Sequence, residues 1–406
     1  MQNNNTQLIE VFLDYATLPS LNYLINFASH KEDRETIRLF GLARFNISDE
    51  IIDSYPQGKL HFVPVNVSKL EDFKSKFKQI LEDNIPHKKV KLNFHFNLFH
   101  SLEMLTNMLG VLTNYLSDIV EVKLNFYDDG SEGIVSLYKL ANTISKDELI
   151  YHIEHQKEQI NQFLSSGKLE FSNSIVLRYL WGNLFSSHYH LIRSDYIKEE
   201  KLAPLQNAIS SYQELEIDSF QRLSNEAKHF MFQLLQLDFN EISPLLSNKG
   251  KSFLFLGTTV NTDNLEITNF ANKLHLDYLQ QFISPDGKFY IGEYDNIYFK
   301  AHPNSKQVNK LISDNFKNIV ILPNNIPMEI LLFLGLNITM IGGFSSTLFF
   351  YLHPENIHHV IFMTEDKNKD KAYSLEIHYW LKQSLIGLGN INEQQAHEYT
   401  EIYNIH

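Results

Sequence analysis

The chain has no cysteine in 406 residues, which excludes disulfide frameworks, thiolate metal sites and cysteine nucleophiles. Basic residues are also scarce: 35 Lys and Arg against 48 Asp and Glu leave a formal charge of −13. That balance argues against a nucleic-acid partner, because phosphate backbones are held by clustered cations. A small anionic ligand needs only a local positive pocket and stays open. No apolar run approaches the roughly 20 residues of a membrane span. The start, MQNNNTQLIEVFLD, lacks a basic segment followed by an apolar one, so no signal peptide is expected. Neither Gly-x-x-x-x-Gly-Lys-Ser/Thr nor Gly-x-Gly-x-x-Gly occurs at a strand-to-helix turn, which makes nicotinamide dinucleotides poor candidates. There is no low-complexity tract, and only two tryptophans, Trp181 and Trp380.

The chain is long enough for two domains, and at 43% apolar and 13% aromatic both can bury a core. Short apolar runs alternate with helical patterns in the first part: 8–14, 60–65, 90–97 and 120–129. The spacing predicts crossover connections and a mostly parallel sheet. From about 145 to 245 long helical patterns such as DELIYHIEHQKEQINQFL predict a helical connection. Alternation resumes at 251–259, 296–303, 318–323, 338–343 and 358–363. The expected fold class is therefore α/β, with two doubly wound Rossmann-like halves. Ligands of open α/β sheets bind beyond the carboxyl ends of the strands. Those ends carry Asp14, Asn97 with His100, Asp128 with Asp129, Gly257, His302 with Pro303, Asn324, and Ser345 with Ser346. Two sheets facing each other would line one interdomain cleft with these residues.

Each segment has two readings. Asp128-Asp129-Gly130-Ser131 suits a plain turn, since Asp-Gly is a common turn pair. Adjacent acids project differently, however, so one can serve the turn while the other acts as a general base on a hydroxyl. Lys300 and His302 share a face of an extended segment, and burying both favours a nearby anion; an isolated histidine usually carries no function. Ser345 and Ser346 follow a strand near a helix start, where N–H groups and hydroxyls suit a phosphate, or simply cap the helix. Glu329 lies in the first turn of a helix begun by Pro327, where the helix dipole alone explains an acid. His95, Asn97 and His100 lack the carboxylate spacing of a metal site, and no metal is expected.

The motifs LDYATLPSLN, GLARF, HFNLFHS, NFYDDGS, GTT, YFKAHP, PMEIL and GGFSSTLFF occur in this order over about residues 8 to 380. In order and spacing the chain resembles the bacterial sialyltransferases of glycosyltransferase family 80. The resemblance implies a GT-B fold and an inverting, metal-independent enzyme moving sialic acid from CMP-Neu5Ac to a galactoside or lipooligosaccharide, α2,3 or α2,6, with no cofactor. It implies Asp129 as general base and His302 as the phosphate contact and acid. Lys300, Pro303, Glu329, Ser345, Ser346, Gly257, Gly130 and Asn97 fall on the donor side, and Asp14, Arg44 and His100 on the acceptor side. The implied division is 1–172 as an acceptor-side domain and 173–381 as a CMP-sugar domain, with the tail 382–406 packing back on the first. A bacterial cytoplasmic setting, free or peripheral at the inner membrane, follows. Three departures stand out: the family's KGHP reads KAHP, Pro327 replaces a serine, and the tryptophan after GTT is missing, the chain reading Val260-Asn261-Thr262-Asp263. That last change bears on acceptor choice. Two rival readings are another GT-B transferase with a different nucleotide sugar, and a non-catalytic sugar- or nucleotide-binding protein.

Overall fold

Thirteen strands in two wholly parallel sheets make the framework of the computed structural model, which describes residues 6–66, 70–166, 175–258, 265–302, 305–363 and 373–399. The first sheet is built from β1 (Thr6–Asp14), β2 (Ile37–Leu42), β3 (Leu60–Phe62), β4 (Lys89–Asn97), β5 (Ile119–Tyr127), β6 (Ser186–Leu191) and β7 (Tyr212–Glu214). Its order is β3-β2-β1-β4-β5-β6-β7, so the winding direction reverses between β1 and β4. The second contains β8 (Ser252–Leu256), β9 (Asn296–Lys300), β10 (Ile319–Ile321), β11 (Met340–Phe344), β12 (Ile357–Phe362) and β13 (Ala396–Glu398). Its order, β10-β9-β8-β11-β12-β13, reverses between β8 and β11. Each reversal is a doubly wound switch point, where the crevice beyond the strand ends opens.

The local sequences explain the strands. SFLFL of β8 is buried at all five positions, as expected of a central parallel strand covered on both faces. β1 and β4 share one burial pattern: alternation at the start, then continuous burial to Asp14 and Asn97. Phe12 stacks on Phe40 and on His95, each with centroids 4.4 Å apart, and locks three neighbouring strands together. The second core is as aromatic, with Phe253, Phe255, Phe282, Phe289, Phe299 and Phe344 all buried. Each such ring contributes about 1.5–3 kcal/mol relative to exposure.

The chain divides into two compact units, one up to Phe239 and one from Asn240, and this differs from the expected boundary at 172/173. Residues beyond 173 supply β6 and β7, which extend the first sheet from β5. SSHYHL of β6 is a polar, alternating edge-type sequence, easily read as part of the helical stretch. Within that stretch lie a long helix, Lys146–Ser166, these two strands, and further helices at Ala203–Ala208, Asn225–Leu235 and Phe239–Leu246. β2 also escaped the strand pattern, because Arg38 and Gly41 interrupt its apolar run. Arg38 is nevertheless buried, paired with Glu10 at 2.9 Å and Asp33 at 3.0 Å. As far as residue 399 the tail is part of the second unit. β13 pairs with β12, and Asn390 Nδ2 donates to Phe349 O at 3.1 Å, so this segment completes the second unit. Residues 400–406 lie outside the described residues.

Gly343 permits the close approach of β11 to β8. Its φ is +108°, and a Cβ there would lie 2.5 Å from the Leu256 carbonyl oxygen. Gly343→Ala is expected to lower the unfolding free energy by about 1–3 kcal/mol. A urea midpoint equal to that of the parent would show that β11 can relax around a methyl group.

Candidate active site

In the first unit the register pairs Leu13 with Phe96 and Asn97 with Tyr127. Asp14, Asn97 and Asp128 therefore emerge at adjacent levels beside the β1/β4 switch point. The Asn97 amide nitrogen donates both its protons to carboxylates, 3.1 Å to Asp14 Oδ1 and 2.9 Å to Asp129 Oδ2. Its Oδ1 accepts the backbone N–H of His100 at 3.1 Å, which opens the helix Ser101–Leu112. Asp14 is fully buried and also accepts from the Ala16 N–H at 2.7 Å and the Tyr23 hydroxyl at 2.9 Å. With both oxygens occupied, Asp14 holds Asn97; it is not presented to a ligand. Arg44 is exposed at the edge, its Nε donating to Tyr15 O at 3.3 Å.

The adjacent acids after β5 do separate. Asp128 turns inward and accepts from the Tyr196 hydroxyl at 2.7 Å and the Ile192 N–H at 3.4 Å. Asp129 stays partly exposed, with Asn97 as its described side-chain donor. Gly130 makes the turn possible: its φ of 146° and ψ of −154° lead straight into the helix Ser131–Thr143. Burial pushes the Asp14 and Asp128 carboxyls up to about 7. Burial raises Asp129 as well, opposed by the Asn97 hydrogen bond and by the charges of His100 and Arg178. Burial lowers His100, and Asp129 and Glu103 oppose that. A largely buried carboxylate with a raised pKa that keeps some surface is a stronger base than a solvated one.

Arg178 was not anticipated. It is 7% exposed, and its guanidinium lies 3.9 Å from the centroid of Phe99. The sequence held one signal, since Arg178 is the only charged residue between Glu170 and Arg193 and sits in an apolar run. His95 belongs to the core: it contacts the Tyr127 hydroxyl at 3.1 Å, and burial drives its pKa down to about 3. Trp181 is buried too, donating to Ser101 Oγ at 3.3 Å, so it is no substitute for the tryptophan missing after GTT.

In the second unit Leu256 pairs with both Gly343 and Lys300, which brings the ends of β8, β9 and β11 level. Gly257 N donates to Lys300 O at 2.8 Å. Lys300 is 5% exposed; its ammonium donates to Ile326 O at 2.7 Å and to Pro323 O. It thus fastens the turn that leads into the helix Met328–Phe333 and carries Glu329. Burial lowers Lys300 to about 8 and raises Glu329, and the opposite charge of each resists the other's shift. His302 is half-buried and its pKa is lowered by burial. Ser305 ties two strand ends, its N–H donating to His302 O at 2.8 Å and its hydroxyl to Thr258 O at 3.1 Å. Pro303 lies outside the described residues.

A second unanticipated residue, His275, fixes this loop from beneath. Its Nε2 accepts the Thr258 N–H at 2.9 Å, so Nδ1 carries the proton and donates to Ala271 O at 2.7 Å. Ser345 and Ser346 follow β11. Ser345 Oγ lies 3.1 Å from His378 Nδ1, and Ser346 Oγ accepts the Leu348 N–H at 3.3 Å, so Ser346 does act as a cap. The structure thus assembles two polar clusters, one at each switch point. Among the described residues no group of three or more His, Asp or Glu is arranged to hold a metal ion.

The family described as Sialyltransferase PMO188 matches residues 9–392, nearly the whole chain. The chain belongs to that sialyltransferase family. No curated protein matches it. Among solved structures, the GT-B domain of a sialyltransferase from Photobacterium damselae is 21% identical, with a TM-score of 0.84 over 97% of this chain and 100% of that one. An α/β-galactoside α-2,3-sialyltransferase from Photobacterium phosphoreum is 21% identical, with a TM-score of 0.80 over 98% and 100%. A 2,6-sialyltransferase from Photobacterium sp. JT-ISH-224, in complex with CMP and lactose, is 23% identical, with a TM-score of 0.78 over 97% and 78%. At these identities the likeness establishes the fold, and the fold is GT-B. The protein is a glycosyltransferase of the sialyltransferase class, as its motifs implied.

The buried acids of this sialyltransferase make its stability depend on pH. Asp14, ordinarily near 3.8, has a folded pKa of about 7, so the folded state holds a proton that the unfolded state has released. Its contribution is complete below about pH 4 and is lost as pH rises towards 7. In Asp14→Asn this loss is expected to disappear, flattening the fall in unfolding free energy by up to about 1.4 kcal/mol per pH unit. Urea titrations of both proteins at pH 5 and 7 check this. A constant difference between them would refute the raised pKa.

Proposed function

We propose that this sialyltransferase transfers sialic acid from CMP-Neu5Ac to the galactose of a galactoside or lipooligosaccharide, by α2,3 or α2,6 linkage, with inversion and without a metal. The observation that carries the reading is the partly exposed Asp129 carboxylate, held by Asn97 and raised in pKa beside a switch point. The acceptor hydroxyl gives its proton to Asp129 as its oxygen attacks the anomeric carbon. The bond from that carbon to the CMP phosphate oxygen breaks, and its electron pair stays on the phosphate. That group goes from one negative charge to two and needs donors aimed at it. His302, Ser345 and Ser346 are assigned to it. Burial alone disfavours the His302 cation, but a bound phosphate supplies the opposite charge that restores it. Glu329 is assigned to the ribose hydroxyls. Lys300 supports it through the turn it fastens, since its ammonium is already committed to two carbonyls.

The 2,6-sialyltransferase complex with CMP and lactose makes those two molecules the natural probes. No helix among the described residues is long and apolar enough to cross a membrane. The cytoplasm, or the cytoplasmic face of the inner membrane, is the location we propose.

Incubation with CMP-Neu5Ac and lactose, followed by mass spectrometry, is expected to yield sialyllactose; no product from this donor, with transfer from another nucleotide sugar, would replace the donor assignment. In the same assay Asp129→Ala should lower kcat by about 10²–10⁴-fold while the Kd for CMP stays unchanged by calorimetry. Retained turnover would move the base to another residue. Incubation with excess EDTA should leave the wild-type rate unaltered, and a loss restored by adding back a divalent cation would overturn the metal-independent mechanism.

A further inference from the structure

Ser345 and Ser346 share one requirement if both are to donate to an anion: something else must occupy the acceptor side of each hydroxyl. A hydroxyl has one proton, and a neighbour that accepts it removes the serine from anion binding. For Ser346 the neighbour is the Leu348 N–H, a donor, at 3.3 Å, so the Ser346 proton is left to point elsewhere. For Ser345 the neighbour is His378 Nδ1, at 3.1 Å, on the helix Tyr373–Gly387. An imidazole nitrogen can either donate or accept, so its tautomer decides what Ser345 can do. The Ser345 main chain is fixed independently, its N–H donating to Ile361 O at 2.9 Å. Only the hydroxyl rotor remains to be set.

We propose that His378 is a positioning residue that carries its proton on Nδ1, donates it to Ser345 Oγ, and so turns the Ser345 hydroxyl proton towards the donor phosphate. The chain of donors then runs one way, from Nδ1–H to Oγ and from O–H to a phosphate oxygen. No covalent bond changes. The two serines become equivalent by different means, a backbone amide behind Ser346 and an imidazole behind Ser345. This rests on the reading that these serines bind the nucleotide phosphate. It adds a residue 33 positions further along the chain, outside every motif that marks the family resemblance.

A double-mutant cycle read by calorimetry with CMP tests it. His378→Ala is expected to weaken CMP binding about tenfold, and Ser345→Ala by a similar factor. In the Ser345→Ala background, adding His378→Ala should change the affinity less than about twofold, since a residue acting through Ser345 has nothing left to orient. His378→Asn, which can place an amide N–H near the position of Nδ1, should restore most of the affinity. Cytidine, which lacks the phosphate, should bind all variants alike. An equal loss in both backgrounds, an equal loss for cytidine, or failure of the asparagine variant to rescue would each overturn the proposal. Wild-type binding of CMP, UMP and GMP is measured first. If UMP or GMP is preferred, the donor assignment fails and the cycle is read with that nucleotide; if none binds, the phosphate reading fails and this proposal falls with it.

Discussion

Both sheets of this sialyltransferase are parallel throughout, and that single constraint decides where chemistry can occur. Parallel strands need crossovers, crossovers cover both faces, and covered strands must be apolar along most of their length. Polar side chains concentrate where strands end; those within strands, such as Arg38 and His95, need partners of their own. The registers turn this into geometry: Asp14, Asn97 and Asp128 come level at one switch point, and Gly257, Lys300 and Ser345 at the other. The site residues are thus gathered by the same pairing that builds the cores, although they are far apart in sequence.

Gathering acids at one edge has an electrostatic cost, and the first unit shows how it is contained. Asp14, Asp128 and Asp129 lie close together, two of them buried. Asn97 uses one nitrogen to satisfy two of these carboxylates, and tyrosine hydroxyls serve the buried pair. Arg178 adds a positive charge without entering the strand ends. This arrangement leaves Asp129 as the member of the group with surface to offer. The raised basicity of Asp129 comes from burial, opposed by Asn97, His100 and Arg178, so opening this edge to water would weaken the base.

Most of the motif residues were legible in the sequence because they sit at or just after the end of an apolar strand, where the switch from apolar to polar is visible; Glu329, in the first turn of a helix, was legible from its motif. The fold class was legible for the same reason. What the sequence hid were strands without an apolar signature and partners without proximity. β2 is interrupted by a buried arginine, and β6 reads SSHYHL, which hid the continuation of the first unit from 172 to 239. Arg178, His275 and His378 reach the site from turns and helices; apart from the isolation of Arg178 in an apolar run, no local pattern distinguishes them from surface residues. Lys300 was recognised, but its role as a fastener of the Pro323–Ile326 turn depends on two carbonyls that no sequence pattern names.

The histidines show why residue type alone could not have settled the site. His95 is buried beside the first switch point and driven to about 3, and His275 is buried in the second unit at about 4, so both are neutral. Their work is geometric: they stack, or they hold a backbone N–H in place. His100, His302 and His378 lie less deeply, next to strand ends, and burial lowers each of them. A group poised in this way responds to an incoming phosphate or carboxylate, whereas a core histidine cannot without unfolding its surroundings. The chemistry therefore depends on depth at the strand ends, and depth is set by the sheet. That is why an imidazole behind Ser345 can differ in role from one behind Thr258, though both make a hydrogen bond of ordinary length.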